Sequence, residues 1–281
     1  MNEDLVQHNS SNSTTTAPPI AVSIVGYGAI GRVLADRLLA GAVQSVDLIG
    51  VVDQKPLTSA PAGLQRLGFE EALSASQIMV ECAGAGFVRQ CARTIVESGV
   101  DLVLCSIGAY ADPELRAQLN AAGPGRIVRP TGAIGALDFL EAAARFERFD
   151  QVTLTTTKPP RALLRDWMSN DEQQELLAST APREVFRGSV RKACELYPSS
   201  INVAAAIAMA INDFDAVEVV IRSDPDASFN RHSIDAGASF GQYRFTFENR
   251  PTPENPRTSG IVAASVLHSL EQLAQRQRAL L

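Results

Sequence analysis

Through its first half the chain alternates short, continuous apolar runs with stretches whose apolar residues recur every three or four positions. Ala21–Val25, Val46–Val52, Gln77–Glu81, Asp101–Cys105 and Arg126–Arg129 read as strands buried on both faces, as parallel strands beneath helices are. Between them lie helical stretches. Arg32–Ala40 carries Val33, Leu34, Leu38 and Leu39 on one side and stops at Gly41; a short piece covers Glu70–Leu73; Phe87–Glu97 carries Val88, Ala92, Ile95 and Val96. Asp112-Pro113-Glu114 opens another helix, with proline just inside its start and acids in its first turn, and the turn Pro130–Asp138 leads into one more. From Gln151 the pattern changes. Val152–Thr157 alternates apolar with polar, which suits a sheet with one wet face, and further strands are expected at Glu184–Phe186, Ala216–Ile221 and Tyr243–Phe247. Helices are expected at Val190–Leu196 and Ile201–Ile211. A closing helix bears Ile261, Val262, Val266, Leu267, Leu270 and Leu273, with Thr258 or Ser259 as its N-cap.

This order predicts an α/β fold: an N-terminal doubly wound parallel sheet, a second α+β domain of mixed sheet, and a C-terminal helix returning to the first domain. The expected divisions are a disordered tail at 1–19, a first domain at 20–135, a second at 136–254 and the terminal helix at 255–281. A length of 281 residues exceeds that of a usual single domain, and 46% hydrophobic content can fill two cores.

The first strand runs without a spacer into Gly26-Tyr27-Gly28-Ala29-Ile30-Gly31. In that place Gly26 permits the tight turn, Gly28 lets backbone approach a pyrophosphate, Gly31 allows helix to pack on strand, and the amides from Ala29 and Ile30 onward face the anion. The second strand ends in Asp53, an acid able to accept hydrogen bonds from a ribose diol and to repel a 2′-phosphate. Strand, glycine triplet, helix, strand and acid in this order define a Rossmann-type dinucleotide site, with NAD favoured over NADP by charge and Lys55 weakening that preference. After the third strand, Ala83 and Gly84 in a glycine-rich turn are expected over the same cofactor; a tight turn without ligand contact is the alternative. Ser106, after the fourth strand, and the Thr131–Gly135 turn, after the fifth, share that sheet edge.

A net charge of −6 and a pI near 5.2 leave no basic stripe for phosphate backbones, so nucleic acid is not an expected partner. No apolar run is long enough to span a bilayer. Cys82, Cys91, Cys105 and Cys194 form no C-x-x-C pair and have no histidine at metal spacing; neither zinc nor disulfides are expected, and a reducing cytoplasm is. The segment 1–19, with Asn9–Thr16 and then Pro18-Pro19, lacks the basic start and apolar centre of a signal peptide.

Of the three histidines, His8 lies in the tail and His268 on the terminal helix, a packed or surface position. His232 falls in a polar loop, Ser223–Ile234, feeding a strand, where an imidazole is either a general acid and base or merely solvated. Lys158 ends the threonine-rich strand before Pro159-Pro160. It can grip a substrate carboxylate, act as a base, or stand solvated at the strand end. Asn202 opens a helix and either contacts a ligand amide or caps the helix. Arg257 with Thr258 and Ser259 sets a cation beside helix amides, a second carboxylate site, although capping alone accounts for the hydroxyls. No serine or cysteine has a nucleophile elbow or an adjacent base.

Taken together, Gly26–Gly31, the Thr131–Asp138 turn, Thr156–Pro160, Phe186–Ser189, Ile201–Ala204 and Asn255–Ser259 resemble, in order, the L-aspartate dehydrogenase family. The resemblance implies NAD(P)-dependent oxidation of L-aspartate to iminoaspartate, which hydrolyses to oxaloacetate and ammonia or feeds NAD biosynthesis, by a homodimer. It places the family's active-site histidine on His232 and its cofactor-contacting alanine and asparagine on Ala133 and Asn202. The family usually has an asparagine or basic residue at Ser199-Ser200, and often lysine at Arg257. Two other readings remain: a two-domain oxidoreductase of the homoserine dehydrogenase or dihydrodipicolinate reductase sort, acting on another amino acid or imine, and a dinucleotide-binding regulatory protein without turnover.

Overall fold

The computed structural model describes residues 18–57, 59–198, 202–252 and 255–278, the side chains of 255–257 and 278 excepted. Its elements run β1 (Ile20–Val25), α1 (Ala29–Leu39), β2 (Val46–Val52), α2 (Phe69–Ala75), β3 (Ile78–Glu81), α3 (Ala85–Glu97), β4 (Asp101–Leu104), a 3₁₀ turn (Ile107–Ala111), α4 (Pro113–Ala121), β5 (Ile127–Val128) and α5 (Leu137–Phe146). There follow β6 (Gln151–Lys158), α6 (Pro160–Leu163), α7 (Asn170–Ala178), β7 (Arg183–Ser189), α8 (Val190–Leu196), α9 (Asn202–Ala210), β8 (Val217–Ser223), β9 (Asn230–Ala238), β10 (Gly241–Asn249), β11 (Pro251–Thr252), β12 (Asn255–Ser259) and α10 (Ile261–Arg278).

The first sheet has the order β2-β1-β3-β4-β5, with every pairing parallel. Every residue of β3 and β4 is buried, because helices cover both faces. On one face lie α1 and α10. Ala263, Val266, Leu270, Leu273 and Ala274 follow a helical stripe and pack on Ile20, Val22 and Ile24 of β1 and Leu34, Ala35 and Leu38 of α1, so the last helix closes the first sheet. Gln277 Nε2 ties its end to Asp101 Oδ2 at 2.7 Å.

The second sheet, β10-β9-β6-β8-β7, is mixed, with β6 parallel to β8 and the other pairs antiparallel. One face bears ion pairs such as Arg187–Glu218, Arg231–Glu248 and Arg244–Asp235. The other shares a core with the helices. Val203–Ala208 of α9 are all buried, as a helix apolar on every side must be, and α9 packs on the 3₁₀ turn of the first sheet. One continuous core therefore joins the second sheet to the far face of the first, with Val88, Ile95 and Tyr110 on one side and Ala204, Ile207 and Ile234 on the other.

Two expectations are corrected. The segment around His232 is not a loop: Asn230–Ala238 is strand β9, paired with β6 and β10. Its inward positions are Asn230, His232, Ile234, Ala236 and Ala238, and two polar residues among them disguise the alternation. Thr258 and Ser259 are not an N-cap. The pairing of Ser259 with Pro251 claims them for β12, and α10 begins after Gly260, whose N–H donates to Arg250 O. Ile201 and Ser199-Ser200 lie outside the described residues, while His268 is exposed on α10.

Candidate active site

The first sheet reverses its winding between β1 and β3, where a ligand crevice opens at the carboxyl ends of such strands. The glycines make that crevice possible. Gly26 has φ +95°, and a Cβ on it would lie 2.8 Å from the Cys82 carbonyl, so no other residue lets the two turns touch. A Cβ on Gly31 would fall 1.9 Å from Gly26 O, which fixes how closely α1 approaches the turn. Gly28 differs: a Cβ there meets no atom within 4 Å, and the residue lines an open groove of about 1420 Å³ together with Ala29, Asp53 and Ala83. No side chain caps α1, so its first amides are available to an anion. This cradle fits a dinucleotide. Asp53 sits at the groove with Oδ2 accepting from Tyr27 N at 2.6 Å and Oδ1 from Lys55 N at 2.8 Å, and Lys55 and Arg66 line the same rim. Gly84, half-buried beside Ala83, has φ +107° and directs its N–H to Glu81; it is not among the residues that line the groove.

An inner cavity of about 110 Å³ lies beside the groove and shares Cys82 with it. Ile30, Ser106 and Ala133 reach it from the first sheet; Lys158, Asn202, His232, Thr258 and Ser259 reach it from the second half of the chain. Strand geometry explains the grouping. Thr156 pairs with His232 across β6 and β9, and Lys158 stands two residues beyond Thr156, so all three point to one face. His232 and Lys158 are each only 2% exposed, which excludes the solvated alternatives for both. Asn230, on the same face, donates through Nδ2 to Ser259 Oγ at 3.4 Å. The Arg257 side chain lies outside the described ones.

The His232 ring is held through Nδ1, 3.0 Å from Thr156 Oγ1, leaving Nε2 for the cavity. Burial first, and the Lys158 charge second, pull its pKa from 6.5 to about 3. His232 is therefore neutral at physiological pH. Because the unfolded chain protonates this histidine below pH 6.5 and the fold resists doing so down to about 3, its contribution to stability is complete above 6.5 and is lost as pH falls through that window. The slope is up to about 1.4 kcal/mol per pH unit. Urea unfolding of His232→Gln between pH 6.5 and 4 is expected to show a shallower loss of stability than the parent; equal slopes would mean that the ring titrates normally in the fold.

Several residues of the site were missed in the sequence. Thr156 orients His232; Asn249 Nδ2 donates to Ala133 O at 2.7 Å and Ser265 Oγ accepts from Gly132 N at 2.9 Å, together fixing the turn after β5. None carries a local signal, since each acts across a strand pair or from a distant helix. Cys82 and Cys105 were assigned no role in the site. They directly follow β3 and β4, half-buried at the cavity wall with sulfurs 3.7 Å apart, and the neighbouring Cys105 thiol together with burial holds Cys82 well above the ordinary thiol range. Among the described residues no cluster of three His, Cys, Asp or Glu side chains could hold a metal, and no helix is long and apolar enough to cross a membrane.

A dinucleotide cradle opening beside a buried histidine and lysine defines the class: a two-sheet, nicotinamide-dependent oxidoreductase. Comparisons narrow it. Residues 26–125 match the homoserine dehydrogenase NAD-binding domain and residues 138–273 match the C-terminal part of aspartate dehydrogenase. The chain is 35% identical over 262 residues to an L-aspartate dehydrogenase of Ruegeria pomeroyi, covering 90% of this chain and 92% of that one. A Thermotoga sp. L-aspartate dehydrogenase is 32% identical over 92% and 98%. The crystal structure of aspartate dehydrogenase from Thermotoga maritima superposes with a TM-score of 0.69 at 26% identity, covering 92% and 96%. A hyperthermophilic archaeal homoserine dehydrogenase in complex with NADPH shares the fold, with a TM-score of 0.56 at 14% identity over 92% of this chain and 98% of that one. The chain belongs to the L-aspartate dehydrogenase family, and so to the NAD(P)-dependent amino-acid dehydrogenases.

Proposed function

We propose that the protein oxidises L-aspartate to iminoaspartate with NAD or NADP, the imine then hydrolysing to oxaloacetate and ammonia or supplying NAD biosynthesis, and that it also runs the reverse reaction. The observation that carries this reading is the burial of one neutral imidazole and one lysine in a single cavity beside the dinucleotide groove. A nicotinamide bound in that cavity supplies the hydride acceptor. The residues of the chain do the rest. Lys158 holds one substrate carboxylate, and the Arg257–Ser259 segment the other, which turns the α-carbon toward the groove and separates a dicarboxylate from alanine. With Nδ1–H donated to Thr156, Nε2 of His232 takes the proton of the water that attacks the imine; in reverse it returns one. A base with pKa about 3 is weak, but a carboxylate paired with Lys158 offsets the cation, the smaller of the two causes that depress it, and so raises the His232 pKa part of the way back. The reading carries with it a homodimer, as the family resemblance implies, and a cytoplasmic location, as the cysteine pattern suggests.

Steady-state assay with L-aspartate, and with oxaloacetate plus ammonia, using both cofactors, tests the proposal; no turnover in either direction would overturn it. Asp53 supports a preference for NAD, whereas Lys55 and Arg66 at the same rim would welcome a 2′-phosphate. Asp53→Asn removes the charge but sets its NH₂ against the N–H of Tyr27 or Lys55, a cost common to both cofactors, so the readout is their ratio: kcat/KM for NADP relative to NAD is expected to rise roughly tenfold, the equivalent of about 1.4 kcal/mol. An unchanged ratio would show that Asp53 does not set cofactor choice.

A further inference from the structure

A buried carboxylate that the chemistry above does not use lies behind the cavity wall. Glu81 ends β3, is 0% exposed, and sits in register with Val25 of β1 and Leu104 of β4. Its Oε1 accepts from Ala83 N at 2.8 Å, Gly84 N at 2.7 Å and Ser106 Oγ at 2.8 Å, and its Oε2 from Ser106 N at 2.9 Å. All these donors are neutral, and burial outweighs them, holding the carboxyl above its ordinary pKa. Burying such a group is costly, so its consequence at the cavity surface matters.

Backbone N–H groups, which can only donate, meet both oxygens of Glu81, so the side chain is held as an acceptor and the one hydroxyl hydrogen of Ser106 is committed to it. Ser106 lines the inner cavity and can offer it only lone pairs. Asn202, lining the same cavity, has the opposite polarity: its Oδ1 accepts from Gly108 N at 3.0 Å, which leaves the Nδ2 hydrogens to donate. That contact is fitted, since a Cβ on Gly108 would lie 2.9 Å from Asn202 Oδ1. An acceptor and a donor of fixed polarity in one pocket complement a primary carboxamide, which donates through its NH₂ and accepts through its C=O. We propose that Glu81 is a positioning residue that, by taking the Ser106 hydrogen, makes Ser106 Oγ an acceptor for the carboxamide NH₂ of nicotinamide, opposite the Asn202 donor. The inference rests on the dinucleotide reading above and adds to it how the ring end is recognised. Glutamine cannot replace Glu81, because in either orientation its NH₂ confronts backbone N–H groups: that of Ser106, or those of Ala83 and Gly84.

The test is binding to the full-length protein, by calorimetry or fluorescence, of three probes: NADH, its reduced 3-acetylpyridine analogue, which keeps the carbonyl but lacks the NH₂, and ADP-ribose, which lacks the ring. In Glu81→Gln and in Ser106→Ala the Kd for NADH is expected to rise roughly tenfold, the scale of one hydrogen bond, while the Kd for the analogue and for ADP-ribose stay within about threefold of the parent. Loss of affinity for NADH and analogue alike would show that Glu81 supports the pocket's shape and not its polarity, and would overturn the proposal. So would unaltered NADH binding in Ser106→Ala, which alone decides the matter if Glu81→Gln does not melt cooperatively. Failure of the dinucleotide reading shows itself separately, as a parent protein that binds neither NADH nor ADP-ribose.

Discussion

Replacing His232 with alanine is expected to lower kcat for L-aspartate oxidation by about 10²-fold or more, the usual worth of a positioned general base, while the Kd for NADH stays near that of the parent. The two effects separate because His232 enters the cavity from β9 of the second sheet, whereas the dinucleotide cradle is built from the turns after β1 and β3 of the first. The expected loss is in turnover more than in KM, since the ring is assigned to a proton and not to a carboxylate. Stopped-flow reduction of NAD would show where the loss falls. If the base serves hydrolysis of the imine, the first hydride transfer keeps much of its rate and later turnovers slow. An unchanged kcat would remove His232 from the mechanism, and a parallel collapse of NADH affinity would make it a structural residue of the interface between the sheets.

The parts of this molecule that were legible in sequence are those in which a short stretch determines its own conformation. Gly26–Gly31 is such a stretch: Gly26 and Gly31 meet steric demands on the next strand and within a few residues, a carbonyl lying 1.9 Å from where a Cβ on Gly31 would sit, while Gly28 faces the open groove. The inner strands β1, β3 and β4 were equally plain, because burial on both faces makes them largely apolar; β2 and β5, at the sheet edges and only half-buried, were marked by their place in the alternation of strands and helices. β9 was not. Asn230 and His232 occupy inward positions that a structural strand would fill with aliphatic residues, so the very residues that make the site polar erased the pattern that marks a strand. α7 was overlooked despite a capping box, Ser169 with Glu172, since its exposed face carries little apolar periodicity. Glu81 was passed over as the polar end of an apolar run; its role depends on Ser106 and appears only when β3 and β4 lie side by side.

Lys158→Met is expected to raise KM for L-aspartate and to lower kcat/KM by roughly 10²-fold, about 3 kcal/mol, the scale on which losing one partner of a buried charge pair is felt. Methionine nearly preserves the volume of a side chain that is 2% exposed, so the change removes charge more than packing. The substitution has a second consequence, which distinguishes a lysine facing His232 from one facing elsewhere. Lys158 is the smaller of the two causes depressing the His232 pKa, burial being the larger. Without the cation the imidazole becomes easier to protonate, so its pKa rises from about 3, yet it does not regain 6.5 because the ring remains buried. NMR titration of His232 in the variant should show that partial recovery, and discrimination between aspartate and alanine should shrink as the carboxylate loses its partner. If a substrate carboxylate seats on Lys158 in the parent, it offsets the same smaller cause that the variant deletes, and addition of L-aspartate analogues to the parent is then expected to raise the His232 pKa in the same direction. If KM for aspartate and the titration of His232 both stay at parental values in Lys158→Met, the lysine neither grips the substrate nor sets the base.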